Sequence, residues 1–509
     1  MAEIIDTAEL GLLQETWQDS KGYIDDLKRL WIYCGIDSCI SGEVTPKFTP
    51  LMTKENKETY EFELLQQAPA LQMMLRGIRI DRQTRYKLKR DLTKEIDHLE
   101  DILDELANAV WEQPLNARSP QQLKEFFYKR MKLPEQVIYD KGKKRVSTNI
   151  ESLEKLRAYI YARPIANTIL AIRETGGLLN VVRSGIDKDW RIRSSYNVGA
   201  TETGRWSSSK NVFGGGLNGQ NVTERMRVMF IADQDMILGY PDFSQAESRV
   251  VAYCSGDPNY ISACTGGSLH TNVAKMVWPD LGWTGDPDED RERAAQPYYR
   301  HFSYYDMAKR GGHLTNYYGS AFTLAKTLKL DQSLGETFQV AYFGAFSGIR
   351  KWHQSVQRTL QTVGKITTAL GRTRVFFGRR WDDSTLKEAI AYEPQSIVAD
   401  ATNMALYKIW RDLDHASEGR EVQILSNQHD GILLQLRQAR LEANIHSVME
   451  RMEQTILVNG KQMKLPAEMK VGYRWHDPDI PGGMYAWGDP RIASLERPTI
   501  SEDLLDWTA

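Results

Sequence analysis

Two aspartates stand where apolar, strand-like runs end. Asp242 lies in PDFSQAESR at 241–249 and Asp430 in NQHDGILL at 427–434. Carboxylates at strand ends are hard oxygen donors, the ligands Mg²⁺ prefers while it keeps room for substrate phosphates. Two ions held this way activate an attacking hydroxyl and stabilise a leaving phosphate oxygen. Between the aspartates, AKRGGHLTNYYG at 308–319 sets Lys309, His313 and Tyr317 at steps of four. That spacing puts a cation and two aromatic rings on one helix face. Fixed positive charge there suits a leaving polyphosphate. A second register of the same segment carries Arg310, Leu314 and Tyr318, the last followed by Gly319.

These side chains need elements to hold them. The run 236–240 reads as a buried strand that stops at Pro241, and 246–253 reads as a helix. Residues 422–426 and 432–436 are apolar runs around a tight turn, and the Asp-Gly pair within it predicts a hairpin. Gly431 suits such a turn because positive φ costs glycine little. Leu88, Leu92, Ile96, Leu99, Leu103, Leu106 and Val110 recur at steps of three and four, which predicts a long amphipathic helix. Residues 120–180 read as further helix. Beyond about 190 the chain turns to short strands and loops rich in glycine. Residues 284–297 read as an exposed loop and 300–370 as helical.

At 509 residues the chain is too long for one ordinary core, so two to four domains are expected. Hydrophobic residues make up 41% and charged residues 26%, the proportions of a soluble globular protein. No apolar stretch approaches a membrane span. The start, MAEIIDTAELGLL, lacks the basic region of a secretory signal. Cys34, Cys39, Cys254 and Cys264 have no metal or disulfide spacing, so cytosolic thiols and a cytoplasmic location are expected. A net charge of −2 leaves room for locally basic surfaces. One such cluster is Lys124, Lys129, Arg130, Lys132, Lys141, Lys143, Lys144 and Arg145. Another is Arg372, Arg374, Arg379 and Arg380, interleaved with Phe376, Phe377 and Trp381. Alone each reads as a solvated face; beside the motifs, phosphate binding is favoured.

Taken in order, the three segments resemble motifs A, B and C of the family A, polymerase I-like DNA polymerases. PDFSQAESR is similar to D-Y-S-Q-x-E-x-R. NQHDG is similar to V-H-D-E, with Gly431 where the family has Glu, so a third carboxylate is missing. Motif B is R-x3-K-x7-Y-G. HLTNY resembles phage members, which favours the register of Lys309, His313 and Tyr317. The family's upstream Arg is absent, since Tyr305 or Asp306 stands there. TETGRWSS at 201–208, GQNV at 219–222, SLHTNVA at 268–274 and EPQSIVAD at 393–400 resemble further family segments.

The resemblance implies roles for particular residues. Asp242, the Phe243 carbonyl and Asp430 would hold two Mg²⁺, with Mn²⁺ a possible substitute. Gln245 and Glu247 would sit beside the incoming sugar, Glu247 excluding the 2′-hydroxyl that marks a ribonucleotide. Lys309, His270 and Arg300, the last standing in for the absent Arg, would meet the triphosphate of a dNTP. His313 would stack by its base, and Tyr317 would line the templating pocket. Arg205, Gln220, Asn221, Lys387, Gln395 and His429 would touch primer–template DNA; Gln395 suits the near-degenerate acceptors of the minor groove.

The implied fold is α+β, a right hand whose palm carries an antiparallel sheet between helical fingers and thumb. Its parts would be an exonuclease remnant at 1–65, a thumb at 66–190, palm at 191–256 and 371–509, and fingers at 257–370. Tyr33 and Asp37 resemble a Y-x3-D fragment of the family's 3′–5′ exonuclease. A chain lacking the other exonuclease motifs would not proofread alone, and a separately encoded exonuclease half is a possible partner. The tail segment SEDLLDW has the character of a partner-binding peptide. The implied activity is template-directed addition of dNTPs to a primer 3′-hydroxyl. Two alternatives stay open: a single-subunit RNA polymerase, and a primer–template-binding subunit weakened by loss of the third carboxylate.

Overall fold

A computed structural model describes residues 26–140, 143–300 and 302–497. The basic residue Lys141, the N-terminal segment and SEDLLDW lie outside these described residues. Two compact units divide after Glu61. In the first, helix α1 (Asp26–Phe48) carries Tyr33 and Asp37 one turn apart, both exposed.

The second unit is built on one antiparallel sheet. Its strands are β1 (Met236–Phe243), β2 (Val422–Gln428), β3 (Gly431–Arg437), β4 (Ala467–Gly472) and β5 (Tyr485–Ala486). Their spatial order is β2-β3-β1-β4-β5, so β1 is central. Near-continuous burial along β3 and the first half of β2 matches their apolar text, as expected for strands covered on both faces; Ser426, Asn427 and Gln428 at the end of β2 are buried polar residues held by side-chain hydrogen bonds.

Strand β1 does not stop at Pro241; it runs on to Phe243. A proline removes a ladder donor and is usually confined to edges. Here β3 pairs with Gly239 and Asp242 but skips Tyr240 and Pro241, so the missing N–H falls in a gap. The hairpin also differs from the expected one. Its two-residue turn is His429-Asp430, because Gln428 already pairs with Gly431. The left-handed residue is His429, with φ of +67°, and Gly431 belongs to the strand.

Helices pack around the sheet. The apolar stripe predicted from Leu88 onward lies on α2 (Arg82–Asn108) as far as Leu106, and Val110 falls past the helix end. Asp81 caps it by accepting from the N–H groups of Gln83 and Thr84, which satisfies donors the first turn leaves open. Its buried residues Leu92 and Ile96 share a core with Leu179 and Val182 of α3 (Arg163–Val182). The text from 120 to 180 is not all helix: Val137–Asp140 and Lys143–Val146 pair as antiparallel strands. Nor is 284–297 all loop, since Pro287–Ala294 is a helix capped by Asp286. The sequence hides that helix because it is almost wholly polar, with no apolar face to mark its period.

Helix α4 (Ala246–Ser255) follows β1 directly. Next come α5 (Leu269–Val277), the short α6 (Gly312–Asn316) and the buried α7 (Asp383–Ile409), which runs through the largest core. Among the described residues no helix is long and apolar enough to cross a membrane.

Candidate active site

One register row places the chemistry. Across the sheet, Gly431 of β3 faces Asp242 of β1, which faces Glu468 of β4. Asp430 occupies the turn beside that row, and its carbonyl accepts from the Phe243 N–H at 3.1 Å. The two aspartates thus meet at one end of the sheet. Gln245 and His429 flank them in left-handed conformations, φ +57° and +67°, costly for residues with a side chain. The His429 N–H donates to Asn427 Oδ1 at 3.2 Å, which helps fix the turn.

Burial governs the electrostatics. It pushes the Asp242 carboxyl up to about 7, and the Asp430 charge adds to the effect while Lys470 opposes it. Asp430 is raised too, chiefly by burial and then by Glu247, against Arg205 and His429. Asp242 Oδ1 is buried and has no hydrogen-bond partner. Among the described residues no three His, Cys, Asp or Glu side chains cluster tightly enough to hold a metal. The pair nevertheless fits a hard divalent cation that takes its other ligands from water and substrate, because an orphaned buried carboxylate oxygen calls for positive charge.

Glu247, in the first turn of α4, is held from three sides. Tyr317 Oη donates to its Oε2 at 2.6 Å, Arg205 pairs with its Oε1, and His313 Nδ1 lies 3.9 Å from Oε2. The His313 and Tyr317 rings meet edge-on, centroids 4.7 Å apart. The rival register points elsewhere: the Tyr318 ring lies 5.3 Å from that of buried His353, and Arg310 lies over Phe302. Lys309 sits in a widened turn, Met307–Gly311, ahead of α6. Gly311 follows because a Cβ there would come within 2.8 Å of the Phe338 ring.

A cavity of about 850 Å³ opens beside Asp242, lined also by Gln245, Thr271, Lys275, Arg291 and Lys470. His270 is buried near it, its imidazole pushed down to about 4 by burial and then by Lys309; its Nδ1 has no partner. Arg300 does not line this cavity. It is exposed at the turn between Pro297–Tyr299 and Phe302–Ser303, its guanidinium over Tyr299. Lys309 is exposed and does not line it either.

Gln220 is buried and donates to Asn427 Oδ1 at 3.2 Å, while Asn221 beside it is exposed. Lys387 and Gln395 lie half-buried, eight residues apart on α7. The second basic cluster splits. Arg372 is buried and committed to Asp400 and Glu63, and Arg374 pairs with Glu388. Neither is a free cation for phosphate. Arg379 and Arg380 are exposed near the protruding rings of Phe377 and Trp381.

Sequence reasoning passes over Tyr240, Glu468, Lys470, Lys275 and Arg291, which all line the cavity. A period of two through 468–472 marks β4 and its cavity-facing residues.

The family model for DNA polymerase family A matches residues 82–477. The chain is 29% identical over 417 residues to the thermostable DNA polymerase I of Thermus thermophilus, covering 78% of this chain and 45% of that protein. It is 25% identical over 423 residues to DNA polymerase I of Geobacillus stearothermophilus, covering 80% and 44%. It therefore spans about half the length of the curated relatives it matches. Its fold is similar to the polymerase domain of Pol1 from M. smegmatis, solved with DNA primer-template and dNTP: TM-score 0.67, 24% identity, 81% of this chain and 70% of that one. With Asp242 and Asp430 adjacent and the family match covering β1 to β4 and the helices around them, this chain belongs to family A of the DNA polymerases.

Proposed function

We propose that the chain is a template-directed DNA polymerase that extends a primer 3′-hydroxyl with dNTPs. The observation that carries this reading is the meeting of Asp242 and Asp430, separated by nearly two hundred residues in sequence, beside a cavity large enough for a nucleotide. Asp242, Asp430 and the Phe243 carbonyl would hold Mg²⁺, or Mn²⁺ in its place. The bound ions supply activation of the primer hydroxyl and charge neutralisation at the phosphates.

The chain's own residues do the rest. Glu247, fixed by Arg205, Tyr317 and His313, stands as the wall against a 2′-hydroxyl. Its rigidity favours this role, since a loose carboxylate gates poorly, and it argues against the RNA polymerase alternative. Arg291 offers positive charge on the cavity wall, where Lys275 is paired with Asp290, with His270 and Lys309 close by. Arg205, the Gln220–Asn427 pair and His429 would meet the primer end, and Lys387 and Gln395 on α7 would track the minor groove. In this reading residues 66–190 form the thumb, 191–256 and 371–509 the palm, and 257–370 the fingers.

Primer extension by the purified chain with Mg²⁺ and each dNTP tests the reading. Template-directed products are expected. Asp430→Ala should abolish them while primer–template binding persists. A wild-type chain that binds primer–template but extends nothing would favour the weakened DNA-binding subunit instead.

A further inference from the structure

We propose that Tyr240 is a positioning residue of the carboxylate site, its hydroxyl occupying the space that a side chain at position 431 would otherwise fill. The inference rests on the reading of Asp242 and Asp430 as holders of divalent ions.

Tyr240 precedes Asp242 by two residues on β1, so both side chains leave the same face of the sheet. Gly431 lies directly across from Asp242. A Cβ at Gly431 would come within 2.7 Å of Asp242 Oδ1, 2.8 Å of Tyr240 Oη and 2.9 Å of Tyr240 Cζ. The carboxylate oxygen and the hydroxyl therefore close together over one Cα, no more than 5.5 Å apart by the sum of the first two distances. The glycine is needed for this approach and not for its backbone freedom, since Gly431 is absent from the left-handed residues.

The ring is anchored by an aromatic neighbour. It packs against Trp475 with centroids 6.3 Å apart, and Arg227 covers the other ring of that pair at 4.5 Å. Tyr240 lines the same cavity as Asp242. An ordinary phenol is a neutral donor at physiological pH. Asp242 Oδ1, meanwhile, is an acceptor without a partner.

A phenol in this place orients a metal-holding carboxylate, or a water on the ion, without adding negative charge. A carboxylate at position 431 would do the reverse. Hydrogen-bond partners of metal ligands typically change affinity by about 10- to 100-fold. Tyr240 and Gly431 thus act as a pair: a large residue on β1 and none on β3.

The test is Mn²⁺ titration of the full chain, read by the electron paramagnetic resonance of the free ion, beside thermal unfolding without metal. Tyr240→Phe keeps the ring and loses the donor. It should weaken Mn²⁺ binding by about 10-fold with the unfolding temperature unchanged. Gly431→Ala, which wedges a methyl between the two oxygens, should weaken binding as well. Tyr240→Ala with Gly431→Glu should bind Mn²⁺ better than Tyr240→Ala alone. Wild-type binding by Tyr240→Phe, in a series where Asp242→Asn loses the ion, overturns the role of Tyr240. So does a folded double variant no better than Tyr240→Ala. Retention of Mn²⁺ by Asp242→Asn would instead overturn the aspartate site on which the inference stands.

Discussion

The Tyr317 hydroxyl donates to Glu247 Oε2 at 2.6 Å, joining the end of α6 to the start of α4. The bond fixes a carboxylate that would otherwise swing about its own side-chain torsions. Arg205 holds the second oxygen, so the carboxylate plane is set as well as its position.

Glu247→Ala should therefore relax sugar selection. The ratio of dNTP to rNTP incorporation, measured as kcat/KM in single-nucleotide extension, is expected to fall by about 10- to 100-fold, the scale on which a shaped pocket discriminates one small group. Tyr317→Phe should give a smaller change in the same direction, because Arg205 still holds Glu247. Unchanged selection in Glu247→Ala would remove the wall from this residue.

Asp242 sets a pH dependence. Its folded pKa is raised to about 7 by burial and by Asp430, while the unfolded chain titrates near 4. Between those values the unfolded state is ionised and the folded state is not, so the metal-free fold loses stability as pH rises from about 4 to about 7. Asp242→Asn should stabilise the metal-free chain at pH 8 by about 4 kcal/mol, the equivalent of about three pKa units, an advantage that disappears toward pH 4. Denaturant melts at the two pH values check this. Binding of a divalent ion requires the ionised form, so apparent affinity should drop as pH falls below about 7, with proton release on binding.

Arg372 separates structure from DNA binding. It is buried between Asp400 and Glu63. Arg372→Ala leaves Asp400 buried and unpaired, which should cost about 3–5 kcal/mol of stability with little change in the salt dependence of DNA binding. Arg379→Ala with Arg380→Ala should do the opposite: stability holds, and the slope of log affinity against log salt becomes shallower, by about 1 for each phosphate no longer neutralised. Equal salt slopes in all variants would contradict the assignment.

Gly311 marks tight packing behind the Lys309 turn. A methyl there would meet the Phe338 ring at 2.8 Å. Gly311→Ala should destabilise by about 1–3 kcal/mol through overpacking, seen as a lower midpoint in denaturant. A neutral effect would mean that Phe338 can shift freely.

How much of this is legible in the sequence depends on what each signal encodes. The two aspartates are readable because apolar runs end at them, and α2 because six apolar residues keep its period. The place of Pro241 inside the central strand is not, because whether a missing N–H matters depends on the partner strand's register. The helix Pro287–Ala294 carries charge on all sides and so has no period to read. Arg372 reads as a surface cation because one-dimensional text does not name the carboxylates Asp400 and Glu63 that bury it. Tyr240 reads as strand filler; only the distance across to Gly431 gives it a role.

Gln245 and His429 each hold a left-handed backbone next to one of the aspartates. A side chain in that region costs on the order of 1–2 kcal/mol. The molecule thus keeps a cocked spring at both ends of its reactive centre. Replacing either residue by glycine would release that tension, so heat resistance and turnover should move in opposite directions at these two positions.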